Sequence, residues 1–193
     1  MTNGLLVNEM ITGDMQTGDT RFEDRQPASV NVAGDPDDTL GPTYATFAGV
    51  LDAAPLPEWS VVTQTLSRDG QVGADDRFLS YDVYAQYLEP TTNHRIADVF
   101  WEYLNSSGAV AQGDELVTGQ LFDPWFYATG LPVTEAYWSQ VKVEGVVRDV
   151  LVQCFERRCM TYTPDNEPEW RVEMGNVGLH YYTWRYGSDT EAP

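Results

Sequence analysis

Lysine is nearly missing from this chain: among 11 basic side chains only Lys142 is a lysine, against 30 Asp and Glu, for a formal net charge of −19. A field of that sign repels phosphate backbones and anionic leaflets, which argues against nucleic acid as a partner and against polybasic docking on membranes. No apolar run approaches the roughly 18 residues of a membrane span, so no membrane insertion is expected. The opening MTNGLLVNEM has neither the basic region nor the long apolar stretch of a signal peptide. Histidine is confined to His94 and His180, and cysteine to Cys154 and Cys159. No metal or cofactor is therefore expected: a zinc site built from the cysteines and His180 has no evident fourth ligand. Catalytic signatures are equally scarce. The chain has no G-x-S-x-G, no HExxH, no phosphate-cradling glycine loop and no Cys-His motif.

Aromatic residues are what the chain does have, at 12% of its 193 residues, with 6 Trp and 11 Tyr. Tyr and Trp carry an apolar face and a polar tip, which suits β-rich surfaces and sugar-facing platforms, while most of them pack in cores and along edges. A chain of this length accommodates one ordinary domain or two small modules and can bury on the order of 70% of its surface.

Along the chain, residues 1–58 read as a β/turn segment of brief apolar pieces (Leu5–Val7, Val30, Val32) broken by Gly, Asp and Pro. Such a segment has little core of its own and must pack on something else. Asp35–Gly41, DPDDTLG, reads as an acidic turn, since its acids lack the alternate spacing of a calcium loop. The two prolines of Asp52–Trp59 mark a boundary before a module over 59–187. There, Val61–Leu66 and Tyr81–Leu88 read as strands around an Arg68-Asp69-Gly70 turn.

Thr91–Ser107 has the strongest helical pattern, with Thr92 or Asn93 as cap, Ile96, Val99, Phe100, Tyr103 and Leu104 as its stripe, and Gly108 as stop. His94 in its first turn suits neutral packing. Asp123-Pro124 opens a helical turn through Trp125, Phe126 and Tyr127 that Gly130 closes, and Thr134 starts another through Trp138. Three consecutive aromatics cannot all face one core, so part of that cluster is exposed or covered by a partner. From Ser139 the pattern turns to β: Val141 and Val143, a Glu144-Gly145 turn, then Val146–Phe155.

The densest stretch is Val150–Gly187, closed by an aromatic strand over Leu179–Tyr186 and followed by a disordered tail at 188–193. Cys154 and Cys159 admit two arrangements. On one straight strand they lie on opposite faces, roughly 16 Å apart. If Glu156-Arg157 is a two-residue turn, they face each other at a non-hydrogen-bonded pair and can form a disulfide. Glu-Arg is poor chemistry for such a turn, so a bonded pair and two free thiols both stand. Arg157 and Arg158 beside Glu156 read as partners in structural ion pairs with nearby acids or as a recognition cluster for a carboxylate or glycan acid group. The expected fold class is α+β, β-rich, with antiparallel hairpins and a few short helices.

The words VLVQCFERRC, TYTPDN, VEMGNVG and HYYTWRYG, with TNGLLV, VNVAGD, PTYATFAG, TNHRIADVFW and FYATGLPVTEAYW upstream, resemble an uncharacterised family of predicted extracellular and cell-surface proteins from Chloroflexota. The resemblance covers nearly all of 1–187. It implies an exported protein in which the TNGLLV word lies inside a longer chain, so that an upstream part of that chain is a partner and Met1 stands for an internal Val. It also implies that the cysteines occur or are replaced together, as a bonded or touching pair.

The expected function is a non-catalytic module of an exported or cell-surface protein, binding envelope polysaccharide or a surface protein through Trp125, Tyr127, Trp138, Trp170 and Trp184. Two alternatives remain: an extracellular carbohydrate-active hydrolase using acids such as Glu156, Glu173 or Asp98, and a purely structural spacer. No catalytic residue is assigned.

Overall fold

In the computed structural model the described residues are 4–187. The expected tail and the start at Met1 lie outside them. The chain opens with helix α1 (Leu6–Thr12) and the hairpin β1 (Asp14–Gly18) and β2 (Arg21–Asp24), followed by a 3-10 helix at Tyr44–Val50. Next come β3 (Gln64–Leu66), β4 (Val72–Ala74), a 3-10 helix at Asp76–Tyr81, β5 (Ala85–Glu89), β6 (His94–Ala97) and α2 (Asp98–Leu104). The hairpin β7 (Ser107–Gln112) and β8 (Glu115–Gln120) precedes β9 (Tyr137–Val143), β10 (Val146–Cys154), β11 (Cys159–Tyr162), β12 (Val172–Met174) and α3 (Val177–Tyr186). The protein is thus α+β and β-rich, with antiparallel hairpins and a few short helices.

One six-stranded sheet organises the molecule in the order β12-β11-β10-β9-β3-β4, antiparallel apart from the β3–β9 contact at Thr65 and Trp138. Successive side chains of a strand point to opposite faces. On β10, Val150, Val152 and Cys154 enter one apolar cluster, and Leu151, with Phe155 just beyond the strand, enters the other. The continuous apolar run of this strand follows, because both faces of the sheet are covered. One face is covered by Val7, Met10 and Ile11 of α1, Tyr44, Phe47 and Val177. The other is covered by Ile96, Ala97, Phe100 and Leu104 around α2, with Phe78 and Val83. Residues on both sides of position 58 therefore share a core, and the N-terminal segment packs on the strands that follow it.

The sequence-based hairpin at Glu144-Gly145 is present: Val143 pairs with Val146 and both turn residues have positive φ, 53° and 77°. That twist matches the flanking strands. The turn at Glu156-Arg157 is present too. Phe155 N donates to Arg158 O at 2.9 Å, and Cys154 pairs with Cys159 in register and in a disulfide of 2.02 Å. Of the two arrangements the sequence admits, this is the hairpin.

Several expectations are corrected. The stretch Leu179–Tyr186 is helical, within α3, and not a strand. Its aromatic residues favour strands locally, but Val177, His180, Tyr181 and Trp184 fall at helical spacing on one side, and Tyr181 and Trp184 pack against the first cluster. The helix expected over Thr91–Ser107 is confined to Asp98–Leu104. Its first part is β6, paired with β5, and Asn93 takes a positive φ of 58° in the turn between them. The segment from Thr134 enters β9 as a strand instead of forming a turn, because Tyr137 and Trp138 each have a covered face to fill. Trp125–Tyr127 lie in a non-helical turn closed by Tyr127 N to Pro124 O at 2.8 Å and Gly130 N to Phe126 O at 2.8 Å. The Arg68–Gly70 turn joins β3 to β4, while the strand expected over Tyr81–Leu88 becomes β5 and pairs with β6.

Candidate functional site

The Glu156-Arg157 turn is where the molecule is braced. Its chemistry is unfavourable locally, and its backbone groups are satisfied by tertiary partners. Glu156 N donates to Leu131 O at 2.9 Å, Arg157 N donates to Thr129 O at 2.8 Å, and Glu156 O accepts from Val7 N and Asn8 N at the start of α1. Side chains add to this: Glu156 Oε2 accepts from Leu131 N at 3.1 Å, and Arg157 Nη1 donates to Tyr127 O at 3.1 Å. Gly130, with a φ of 73°, is needed at this crossing, because a Cβ there would lie 2.6 Å from Glu156 Oε2.

What the turn holds is the loop carrying Trp125, Phe126 and Tyr127. Trp125 stands edge-on to a stacked pair, Tyr87 of β5 and Trp101 of α2, whose rings are 3.9 Å apart and 5° from parallel. The indole of Trp125 lies 5.9 Å from Tyr87 and 5.3 Å from Trp101, and Phe126 stands perpendicular to it at 5.4 Å. Tyr87, Trp101 and Trp125 are half-buried, Phe126 is 39% exposed and Tyr127 is 63% exposed. Four aromatic residues from three segments, Tyr87, Trp101, Trp125 and Phe126, therefore form one partly open ledge, and the exposed Tyr127 follows on the same loop. Burial raises the Tyr87 phenol above its usual value, with the Glu89 carboxylate adding to the effect.

Of the residues expected to bind a ligand, Trp125 falls on this ledge, and Tyr127 is exposed on the same loop. Trp138 does not: it is fully buried, stacked on Phe78 at 4.7 Å, and its Nε1 donates to Val62 O at 2.8 Å. Trp138 thus belongs to the core of the sheet, with no ring face open to solvent. Trp170 is 66% exposed on the 3-10 turn before β12. Trp184 packs on the opposite face of the sheet, with Nε1 donating to Gln26 O at 2.9 Å. Tyr87 and Trp101 are missed by the sequence reading. They lie 14 residues apart on elements whose pairing the sequence does not reveal.

Arg157 and Arg158 bond to carbonyls and not to acids: Arg158 Nη1 lies 3.5 Å from Gly175 O, and neither joins an ion pair among the described residues. Of the three acids considered for hydrolysis, Glu156 is committed to the Leu131 amide, Glu173 sits exposed on β12, and burial raises Asp98 above the usual carboxylate value. A fourth acid was not read from the sequence. Glu135 is fully buried and accepts from Leu56 N at 3.1 Å, Arg95 N at 2.8 Å and His94 Nδ1 at 3.2 Å. Since the oxygen that faces the imidazole accepts, Nδ1 of His94 is the donor. This acid ties the 52–59 linker to β6 and packs His94, which is buried in a strand and not in a helical turn.

No protein-family model, curated protein or solved structure matches this chain.

Proposed function

We propose that this chain is a non-catalytic binding module of an exported or cell-surface protein, and that the ledge of Tyr87, Trp101, Trp125 and Phe126, with the exposed Tyr127 of the same loop, is its contact for envelope polysaccharide. The observation that carries the reading is the half-open Trp125, held edge-on to the stacked Tyr87–Trp101 pair on a loop that also carries the exposed Tyr127. Aromatic rings supply a rigid apolar face for the C–H face of a sugar, and Tyr and Trp add a polar edge for its hydroxyls. The bonded cysteine pair agrees with an oxidising compartment.

The test is affinity electrophoresis and calorimetry with soluble neutral wall polysaccharides, on the parent chain and on Trp125→Ala, Trp101→Ala and Trp170→Ala. Loss of a ledge ring should weaken binding about threefold to tenfold, while Trp170→Ala stays near the parent. Binding to no polysaccharide, or binding untouched by Trp125→Ala, refutes the ledge. Capture of a surface protein through the same residues would replace the glycan as occupant, and shortening of the polymer would replace binding by hydrolysis.

A further inference from the structure

On the face of the sheet opposite the ledge, a cleft of about 380 Å³ opens between residues 29–38 and α3. It is lined by Ser29, Asn31, Asp38, Arg68, His180 and Thr183, with Val30, Pro36 and Leu179 as apolar walls. A second cleft of about 220 Å³ shares Gly34 and His180 with it.

The acids beside this cleft are all committed. Asp35 accepts from Glu144 N and Gly145 N at 2.9 and 2.8 Å. Asp37 pairs with Lys142 at 2.6 Å. Asp38, buried, accepts from Leu40 N and Gly41 N at 2.9 and 3.0 Å. Each carboxylate of the DPDD turn is thus spent on local structure.

The donors are in a different position. Arg68 is fixed through Nη1 alone, which donates to Gly41 O at 2.6 Å and Asn31 Oδ1 at 2.8 Å, with Asp38 O at 3.4 Å. Among the described residues, its Nε and Nη2 meet no protein acceptor, and no carboxylate pairs with it. Nε and Nη2 form the edge of a guanidinium that takes a carboxylate through two parallel bonds. His180 is held through Nδ1, 2.9 Å from the buried Tyr44 hydroxyl, for which the ring nitrogen is the sole acceptor within reach among the described residues. With Nδ1 accepting, the neutral imidazole carries its proton on Nε2 and presents a second donor.

We infer that this cleft is a binding site for a small carboxylate ligand, gripped by the Nε/Nη2 edge of Arg68 and by Nε2–H of His180, with Ser29 and Thr183 hydroxyls for its remaining polar atoms. The wider acidic surface opposes such a ligand, but that field is screened beyond about 8–10 Å at physiological salt, and the grip is local. Two sources share this chemistry, a uronic-acid sugar and the terminal carboxylate of a peptide.

Amide NMR titration at about 0.15 M salt distinguishes them, with D-glucuronate, N-acetylglycine and neutral D-glucose as probes. Saturable shifts confined to Asn31, Gly34 and the first turns of α3, with a dissociation constant on the order of 1 mM for a carboxylate probe and none for glucose, are expected. Glucuronate alone binding assigns a sugar acid, and N-acetylglycine binding equally or better assigns a peptide end. Arg68→Lys, which keeps the charge and loses the fork, should weaken binding about tenfold. His180→Phe, which keeps the ring packing, should weaken it severalfold and serves if Arg68→Lys does not fold. Trp125→Ala should bind as the parent does, whatever becomes of the ledge. Glucose binding as well as glucuronate, no saturation by about 10 mM, or folded Arg68 and His180 variants that bind like the parent overturn the proposal.

Discussion

Substituting Glu135 tests whether a buried carboxylate holds the linker to the strand layer. In the parent its oxygens receive Leu56 N, Arg95 N and His94 Nδ1, in a site of no solvent exposure. Glu135→Ala leaves those donors without an acceptor and opens a cavity. An orphaned buried donor costs about 1–3 kcal/mol, and partial relaxation makes about 3–6 kcal/mol a sound expectation for the set. Glu135→Gln keeps one oxygen for Arg95 N and His94 Nδ1 and turns its NH2 toward Leu56 N, so a single donor is orphaned, at about 2 kcal/mol. For a domain of this size each kcal/mol moves the melting midpoint by about 2–4 °C. Thermal melts followed by near-ultraviolet circular dichroism should therefore place Gln about 4–8 °C below the parent and Ala about 6–24 °C below, lower than Gln. Two variants within about 2 °C of the parent, or a Gln variant as damaged as Ala, would refute the view that counting acceptors explains this site.

The Cys154–Cys159 bond closes a short loop, with a sequence separation of 5, so its loss in a double Cys→Ala variant should cost about 2 kcal/mol plus the packing of two buried sulfurs. Intact mass before and after reduction checks the bond, which gains two protons only on reduction. Gly130→Ala should destabilise by at least about 1–3 kcal/mol in urea titration, since the new methyl meets Glu156 in a strained backbone. Burial pushes the Tyr137 phenol up to about 12 from an ordinary 10, with Glu135 adding to it. The unfolded chain gives up this proton first, so stability is complete below pH 10 and declines between pH 10 and about 12, by about 1.4 kcal/mol per pH unit at most. Burial lowers His180 from 6.5, so the unfolded chain takes up its proton first and stability declines as pH falls below 6.5.

The tight turns and the central hairpins were readable because their signals are local. Glu144-Gly145 and the alternation on either side of it belong to neighbouring residues, and so does the apolar run of β10. Cys154 and Cys159 left two options that only the pairing register decides. The hairpin of β7 and β8 was overlooked although Gly113 and Asp114 mark its two-residue turn, with Gly113 at a φ of 64°. The helical stripe running up to Ser107 masks it. The helix α3 departs from its local signal for a different reason: its residues prefer strands, and only the surface they meet makes the helix the lower state. The ledge was half legible. Trp125 and Tyr127 advertise themselves as consecutive aromatics, whereas Tyr87 and Trp101 reach the same place through the pairing of β5 with β6 and the start of α2. The commitment of Glu135 to Leu56, 79 residues away, has no local signature at all.

The contact of α1 with α3 has a bearing on topology. Tyr181 donates to Glu9 Oε2 at 2.5 Å and Arg25 Nη1 donates to Arg185 O at 2.7 Å, so the first and last helices lie side by side on one face. Arg25 N donates in turn to Gly13 O at 2.8 Å, so the last turn of α3 sits beside the C-terminal end of α1. Parting the two helices would uncover Tyr181 and Trp184 where they pack on the first apolar cluster, while the strand pairings of the sheet stay in place.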